Sequence, residues 1–253
     1  MKVLFVGDIH NHLYMFDDIK RLDKEHNFDK IIFTGDYVDD WNTTNNESLE
    51  TLNRVIELKK CNPNKYTFIL GNHELSYLGY PCAGHRYEND IDIEQTLKEN
   101  IEYFDLYNII ELDGKEYIST HAGITNSYIN GVISKVVPGL KTNDWKQGLE
   151  IMNKYKLDSL GLLKYVSCLR GGYNEYSSMV WCDKREHEYF SLQEKYWIPY
   201  QIVGHTPVKT ISNLSDKDSM MYFIDTHSTY RDGSQYGDKS YLFWNEKEFE
   251  ILY

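Results

Sequence analysis

The chain has 253 residues, 41% hydrophobic and 26% charged, with only 5 prolines; this excludes a disordered or fibrous polypeptide and suffices for one sizeable buried core. A formal net charge of −12 with no lysine–arginine cluster argues against a dedicated nucleic-acid binder, because neutralising a phosphate backbone needs a basic face. Cys61, Cys82, Cys168 and Cys182 are scattered, and the N-terminal apolar run is too short for a signal peptide or membrane span, so reduced thiols in a cytoplasmic protein are expected.

Val3-Leu-Phe-Val enters Gly7-Asp8-Ile9-His10, a buried-strand pattern that empties into glycine, a carboxylate and an imidazole. Leu13, Phe16, Ile19 and Leu22 then recur at helical spacing among charged residues and predict a helix covering a sheet. The strand shape returns at Lys30-Ile-Ile-Phe-Thr-Gly-Asp36-Tyr-Val-Asp39. Leu49, Leu52, Val55 and Ile56 predict a second helix that stops before Asn62-Pro63-Asn64, and Tyr66-Thr-Phe-Ile-Leu-Gly-Asn72-His73-Glu74 repeats the strand shape again. This order requires parallel strands with right-handed crossovers. Three strand ends therefore deliver Asp, His and Asn to one edge, and in open α/β sheets that edge is where ligands bind.

Ile93, Leu97, Ile101 and Phe104 predict a third helix, and Ile109 to Thr120 a hairpin turning at Asp113-Gly114. From Thr125 to about Tyr200 the pattern is mostly helical and irregular, and reads as a cap inserted at about 125–200 in one domain spanning 1–253. Strands resume at Gln201-Ile-Val-Gly, Met220 to Asp225, Tyr241-Leu-Phe-Trp and Phe249 to Tyr253, a run suited to a second, antiparallel or mixed sheet. The expected fold is α/β, a two-sheet mixed β-sandwich flanked by helices with a helical cap. The 22 tyrosines could mark a binding surface, although packing at the core margin is their commoner use.

Asp and His at alternate positions leaving a strand can converge on one ion once the chain bends. Mixed oxygen and imidazole ligation suits manganese, iron or zinc, whereas magnesium or calcium would favour oxygen alone. Singly, each residue has a plainer use: Asp8 and Asp36 as helix caps, Asn72 in a turn, His121 or His205 as a buried hydrogen-bonded histidine, Asp39 as a solvated loop carboxylate. Glu74 is open between a partner of the site and a charge at a helix N-terminus.

Together, Gly7-Asp8-Ile9-His10, Gly35-Asp36-Tyr37-Val38-Asp39, Gly71-Asn72-His73-Glu74, Thr120-His121-Ala122-Gly123 and Gly204-His205-Thr206 resemble the calcineurin-like metallophosphoesterases. The resemblance is nearest to their phosphoprotein-phosphatase branch and its bacterial and phage relatives, including diadenosine-tetraphosphate hydrolases. Five elements in the family's order, each at a strand end, are far more specific than one Gly-Asp-x-His. The resemblance implies that Asp8 and His10 hold a first metal, that Asn72, His121 and His205 hold a second, and that Asp36 bridges them. Two divalent transition-metal ions, manganese first, would activate a bridging water as nucleophile. It also implies that His73 is the general acid on the leaving oxygen, oriented and kept protonated by Asp39.

The sequence departs from that branch at Asp39-Asp40-Trp41, where Gly-Asp-x-Val-Asp-Arg-Gly usually supplies an arginine to phosphate. Arg170, in Leu169-Arg-Gly-Gly172 ahead of Met179-Val-Trp-Cys182, resembles the Arg-Gly-Gly and Trp elements of bacterial relatives and becomes the first candidate for that contact. Arg86 and Arg185 are weaker ones. His12 is expected to be structural or exposed, and His227 structural or behind the ligands. The substrates implied are phosphomonoesters, including phosphorylated serine, threonine or tyrosine of proteins, then dinucleoside polyphosphates; a nuclease ranks third. The rival from another class is a non-catalytic metal-binding scaffold, which would have no need of a full ligand set.

Overall fold

The computed structural model describes residues 1–79, 91–136, 138–141, 144–191 and 196–253. Strands β1 (Val3–Val6), β2 (Lys30–Phe33) and β3 (Tyr66–Ile69) lie side by side and parallel, with Val3 opposite Lys30 and Ile31 opposite Tyr66. Helices α1 (Tyr14–His26) and α2 (Asn45–Cys61) make the crossovers. α1 buries Met15, Phe16, Ile19 and Leu22, and α2 buries Leu52, Val55 and Ile56; both stripes join Leu4, Val6, Ile31, Phe33 and Phe68 on one sheet face. The N-caps of these helices are Leu13 and Thr44, so neither Asp8 nor Asp36 is spent on capping.

The chain continues through α3 (Asn72–Tyr77), α4 (Ile91–Glu99), β4 (Phe104–Asp105), β5 (Asn108–Leu112) and β6 (Lys115–Thr120). After helices α5 (Asn126–Gly131), α6 (Trp145–Lys154), α7 (Leu160–Leu163) and α8 (Lys184–Ser191) come β7 (Tyr200–Val203), β8 (Ser212–Ser215), β9 (Met220–Phe223), β10 (Tyr241–Trp244) and β11 (Phe249–Leu252). Among the described residues the strands form two mixed sheets, ordered β11-β10-β1-β2-β3-β4 and β5-β6-β7-β9-β8. Their facing sides meet through Val3, Phe5, Ile32 and Ile69 on one sheet and Ile110, Tyr117 and Ile202 on the other. β1 is covered on both faces, which is why Val3 to Val6 read as an unbroken apolar run.

Within the second sheet β6, β7 and β9 are parallel. Their C-terminal ends lead to His121, to Gly204-His205 and to Ile224-Asp225, while β1, β2 and β3 lead to Asp8, Asp36 and Asn72. Both sheets thus empty toward one cleft lined by residues from each.

Two sequence expectations change. β10 and β11 belong to the first sheet, where β10 pairs antiparallel with β1. All four residues of β10 are buried, and the open edge of β1 offers a strand partner between two covering layers; periodicity encodes a strand without encoding which edge it joins. The third helix ends at Glu99, and Phe104 lies in β4, paired to Phe68. A single 3-10 turn, Ile101–Tyr103, joins the two, and the apolar spacing runs on through it because Phe104 packs into the same core cluster as Ile93 and Leu97. No helix among the described residues is long and apolar enough to cross a membrane.

Phe5 is fully buried between the two sheets, its ring centroid 6.2 Å from that of Phe249. Phe5→Ala is expected to lower the unfolding free energy by ~3–5 kcal/mol in urea titration. A loss under about 1 kcal/mol would mean that the two sheets do not share one close-packed core.

Candidate metal centre

The strand ends turn sharply. His10, Asp36, Asp39 and His205 adopt left-handed backbone conformations, with φ of 44°, 51°, 65° and 63°, a region that non-glycine residues rarely occupy. Glu74 holds the middle turn in place. It is fully buried; its Oε1 accepts from the Tyr37 and Val38 N–H groups at 2.7 and 3.2 Å, and its Oε2 from Asp36 and Gly71 at 3.0 and 2.9 Å. Glu74 therefore fixes the loop after β2 to the turn after β3; it also stands in the first turn of α3 and accepts from the amide of the N-cap Gly71, so both readings of this residue hold. Burial first, and the Asp36 charge next, push its carboxyl up to about 7, while the amide donors oppose that shift. Two glycines serve close approach: a Cβ on Gly71 would lie 2.1 Å from Asp36 Oδ1, and one on Gly204 would lie 2.1 Å from Asp8 Oδ1.

Asp8, His10, Asp36, Asn72, His121 and His205 come together at this edge. His121 Nδ1 donates to the Thr34 carbonyl at 2.8 Å, which turns its Nε2 toward the site. Facing that nitrogen are Asn72 Oδ1 at 2.9 Å, His205 Nδ1 at 3.1 Å and Asp36 Oδ2 at 3.2 Å. A single proton could relieve one of these contacts; a cation between them relieves all. His10 Nδ1 donates to the Asp39 carbonyl at 2.6 Å, turning its Nε2 toward Asp36 Oδ2 at 3.7 Å and Asp8 Oδ2 at 3.9 Å. Asp36 is common to both halves. Asp8 accepts from the His205 backbone N–H at 3.0 Å, which joins the first and last motifs of the site.

The charge states agree with this geometry. Burial pushes His10 below the ordinary imidazole range, and burial followed by the Arg170 charge pushes His205 well below it. Burial alone would raise Asp36, but the facing His121 and His73 outweigh it and hold the carboxyl well below the usual range. The clusters Asp36–His121–His205 and His10–Asp36–His73 each bring ligand atoms close enough to hold a metal ion. The donor set, neutral imidazoles with carboxylate and carboxamide oxygens, fits a borderline transition metal.

His73 belongs to the second of these groups through Asp36, and it is held on its other side by Asp39. Its Nδ1 lies 2.9 Å from Asp39 Oδ2 and its Nε2 4.0 Å from Asp36 Oδ2. Burial opposes protonation, but the charge of Asp36 and the hydrogen bond and charge of Asp39 push His73 up to about 9. Asp39 is buried, so its solvated-loop reading does not apply.

The cleft above these residues encloses about 670 Å³. Arg170 lines it, anchored by Nε to Asp183 Oδ2 at 2.8 Å and by Nη2 to Thr206 Oγ1 at 3.1 Å. Arg185 also lines it and pairs with Asp183, whereas Arg86 lies outside the described residues. His12 Nε2 sits 3.0 Å from Asp40 Oδ2, and buried His227 packs on Tyr241 with its Nδ1 3.2 Å from the Tyr14 hydroxyl. Sequence reasoning passed over Asp225, which is fully buried, lines the cleft, accepts from Ser228 Oγ at 2.8 and 2.9 Å and helps raise Asp8. The signal was present: Met220 to Asp225 is one more strand ending in a carboxylate. Asp183, the counter-ion of Arg170, gave no comparable pattern.

Two sheets that carry carboxylate, imidazole and carboxamide groups to a common edge define the metallophosphoesterase class of fold. The model of the calcineurin-like phosphoesterase family matches residues 1–231, and the chain belongs to that family. Over 132 residues it is 29% identical to the serine/threonine-protein phosphatase 6 catalytic subunit of Drosophila melanogaster, a match covering 50% of this chain and 41% of that one. The chain thus spans less than half the length of that relative. Among solved structures, a protein serine/threonine phosphatase from Saccharomyces cerevisiae with similarity to human PP5 superposes over the whole chain and 79% of its own, with TM-score 0.57 at 15% identity. A cold-active protein-tyrosine phosphatase from a psychrophilic Shewanella superposes over the whole chain and 80% of its own, with TM-score 0.52 at 18% identity. These two likenesses establish the fold.

Glu74→Gln places an NH2 group against backbone N–H groups and leaves at least one buried donor unpaired. The expected loss is about 1–3 kcal/mol in chemical denaturation. Unchanged stability would mean that Glu74 does not hold the Asp36 loop.

Proposed function

We propose that the protein hydrolyses phosphoesters at a dinuclear metal centre, with Asp8 and His10 holding one divalent ion, Asn72, His121 and His205 the other, and Asp36 shared. The observation that carries this reading is the convergence of Asp36 Oδ2, Asn72 Oδ1 and His205 Nδ1 on His121 Nε2, four ligand-type atoms that one cation between them would satisfy together. When bound, such ions supply Lewis acidity to the phosphoryl oxygens and lower the pKa of an attacking water. Manganese, iron and zinc suit the mixed nitrogen and oxygen donors, with manganese our first choice.

The protein's own groups do the rest. Asp39 takes the Nδ1 side of His73, so the Nε2 proton is the one free to pass to the ester oxygen as its bond to phosphorus breaks. Arg170, which lines the same cleft, offers guanidinium donors to the phosphoryl oxygens, while Asp183, His205 O and Thr206 fix its orientation. Asp225 contributes negative charge behind Asp8 and stays with the site as a positioning group. Phosphomonoesters are the substrates this site suits, with phosphorylated protein side chains the first class to test. Two similar proteins named as protein phosphatases support that order.

The metal reading is checked with p-nitrophenyl phosphate. Chelation should abolish hydrolysis and manganese should restore it, and Asp36→Asn should be the most damaging ligand change because it weakens both halves of the site. Full activity in protein that elemental analysis shows to be metal-free would overturn the proposal.

His73→Ala should retain metal and lose ~10²- to 10⁴-fold in turnover on esters with poor leaving groups, with a smaller loss on activated aryl esters. An equal loss across leaving groups of very different acidity would assign His73 to positioning instead of proton donation.

A further inference from the structure

The cleft is larger than a phosphoryl group requires. Its volume of about 670 Å³ falls in the range of pockets that enclose a whole small ligand, ~300–1,000 Å³. What lines it beyond the ligand cluster therefore selects what the phosphate is attached to. On the wall that continues from Asp39 the lining residues are Asp40, Trp41, Thr229, Tyr230 and Tyr236. Asp39 holds His73, the group assigned to the leaving oxygen, and Trp41 follows it by two positions in the chain; this wall therefore begins on the leaving-group side.

The wall is built as a unit from two loops. Thr229 Oγ1 donates to Asp40 Oδ1 at 3.1 Å, Asn42 Nδ2 donates to the Arg231 carbonyl at 3.4 Å, and the Arg231 guanidinium sits 5.8 Å from the centroid of the Trp41 ring. The second loop is braced internally, with Tyr230 N–H donating to Ser234 O at 2.8 Å, Tyr236 N–H donating to Ser228 O at 3.0 Å, and an edge-on contact of 5.2 Å between the Tyr230 and Tyr236 rings. Trp41 and Tyr230 nevertheless stay 47% and 49% exposed in the cleft wall. Large rings carried on braced loops and left half open beside a reaction site are suited to stack on a planar group.

We infer that Trp41 and Tyr230 form a stacking wall for a planar aromatic ring carried on the leaving group of a phosphomonoester. The inference rests on the phosphoester hydrolase reading and narrows its substrate. Asp40 sharpens it. The carboxylate stands in the same wall, bonded to His12 and Thr229, and its negative charge disfavours a chain of further phosphates while leaving an uncharged ring unaffected. Two sources carry this chemistry: a phosphotyrosyl side chain, with the ring directly on the ester oxygen, and a nucleoside 5′-monophosphate, with the ring beyond a ribose. In either case water oxygen bonds to phosphorus, the ester P–O bond breaks with its electron pair on the leaving oxygen, and His73 supplies the proton to that oxygen.

The test uses the manganese-loaded full chain and reads kcat/KM for a phosphotyrosyl peptide, the matching phosphoseryl peptide and adenosine 5′-monophosphate. Trp41→Ala should lower an aromatic-to-phosphoseryl ratio by about three- to tenfold, mostly through KM, Tyr230→Ala should lower the same ratio, and Trp41→Phe should recover part of it. Tyr155→Ala, at an exposed ring on the end of α6, should leave the ratio unchanged. A fall confined to the peptide identifies an aryl ester as the source of the ring, and a fall confined to the nucleotide identifies a base. Ratios unchanged for both in Trp41→Ala and Tyr230→Ala would overturn the stacking wall while leaving the hydrolase reading intact; no hydrolysis of any of the three by the wild type would instead overturn that reading.

Discussion

One buried carboxylate sets the geometry on which the rest of the site depends. Four backbone N–H groups, from Asp36, Tyr37, Val38 and Gly71, point at Glu74 from two different strand ends. Backbone donors around a turn with left-handed residues would otherwise be left unpaired, at about 1–3 kcal/mol each. By satisfying them, Glu74 stabilises the left-handed conformation of Asp36, which faces His121, and fixes the loop up to Val38, the residue before the Asp39 that holds His73. The two functions assigned to this edge, holding ions and handling a proton, thus share one anchor.

Charge explains why the cluster is arranged as it is. The chain is strongly acidic, and the cleft floor gathers Asp8, Asp36 and Asp225 with the His10 and His205 imidazoles pushed toward their neutral forms. Such a collection is costly to bury unless positive charge enters it. Arg170 contributes only in part, because Asp183 already neutralises it. Divalent ions at the proposed centre would supply what the chain withholds. They would also reconcile an acidic protein with an anionic substrate, since a phosphoryl group entering the centre would then meet the field of the ions.

The strand ends were legible because each is a local signal: a short apolar run, a glycine, then a ligand-type side chain. Asp8, His10, Asp36, Asn72, His121 and His205 are adjacent in space because parallel strands of two packed sheets terminate together, and the alternation of strand and helix already implied parallel strands in the first sheet. Asp225 carried the same local signal and was passed over in favour of its neighbour His227, which instead packs against Tyr14 and Tyr241. Partnerships across the chain were beyond a sequence pattern. Glu74 gives no hint that its partners are amides of the preceding loop, and Tyr241–Trp244 do not reveal that they complete the sheet begun by Val3–Val6. Asp183 is likewise an ordinary acid until the fold sets it against Arg170.

Diffraction from manganese-soaked crystals, with anomalous maps collected at the manganese edge, tests the central claim most directly. A dinuclear centre bridged by Asp36 requires two anomalous peaks that both contact Asp36, one shared with Asp8 and His10 and the other with Asn72, His121 and His205. A single peak at saturating manganese, or two ions that do not share Asp36, would contradict it.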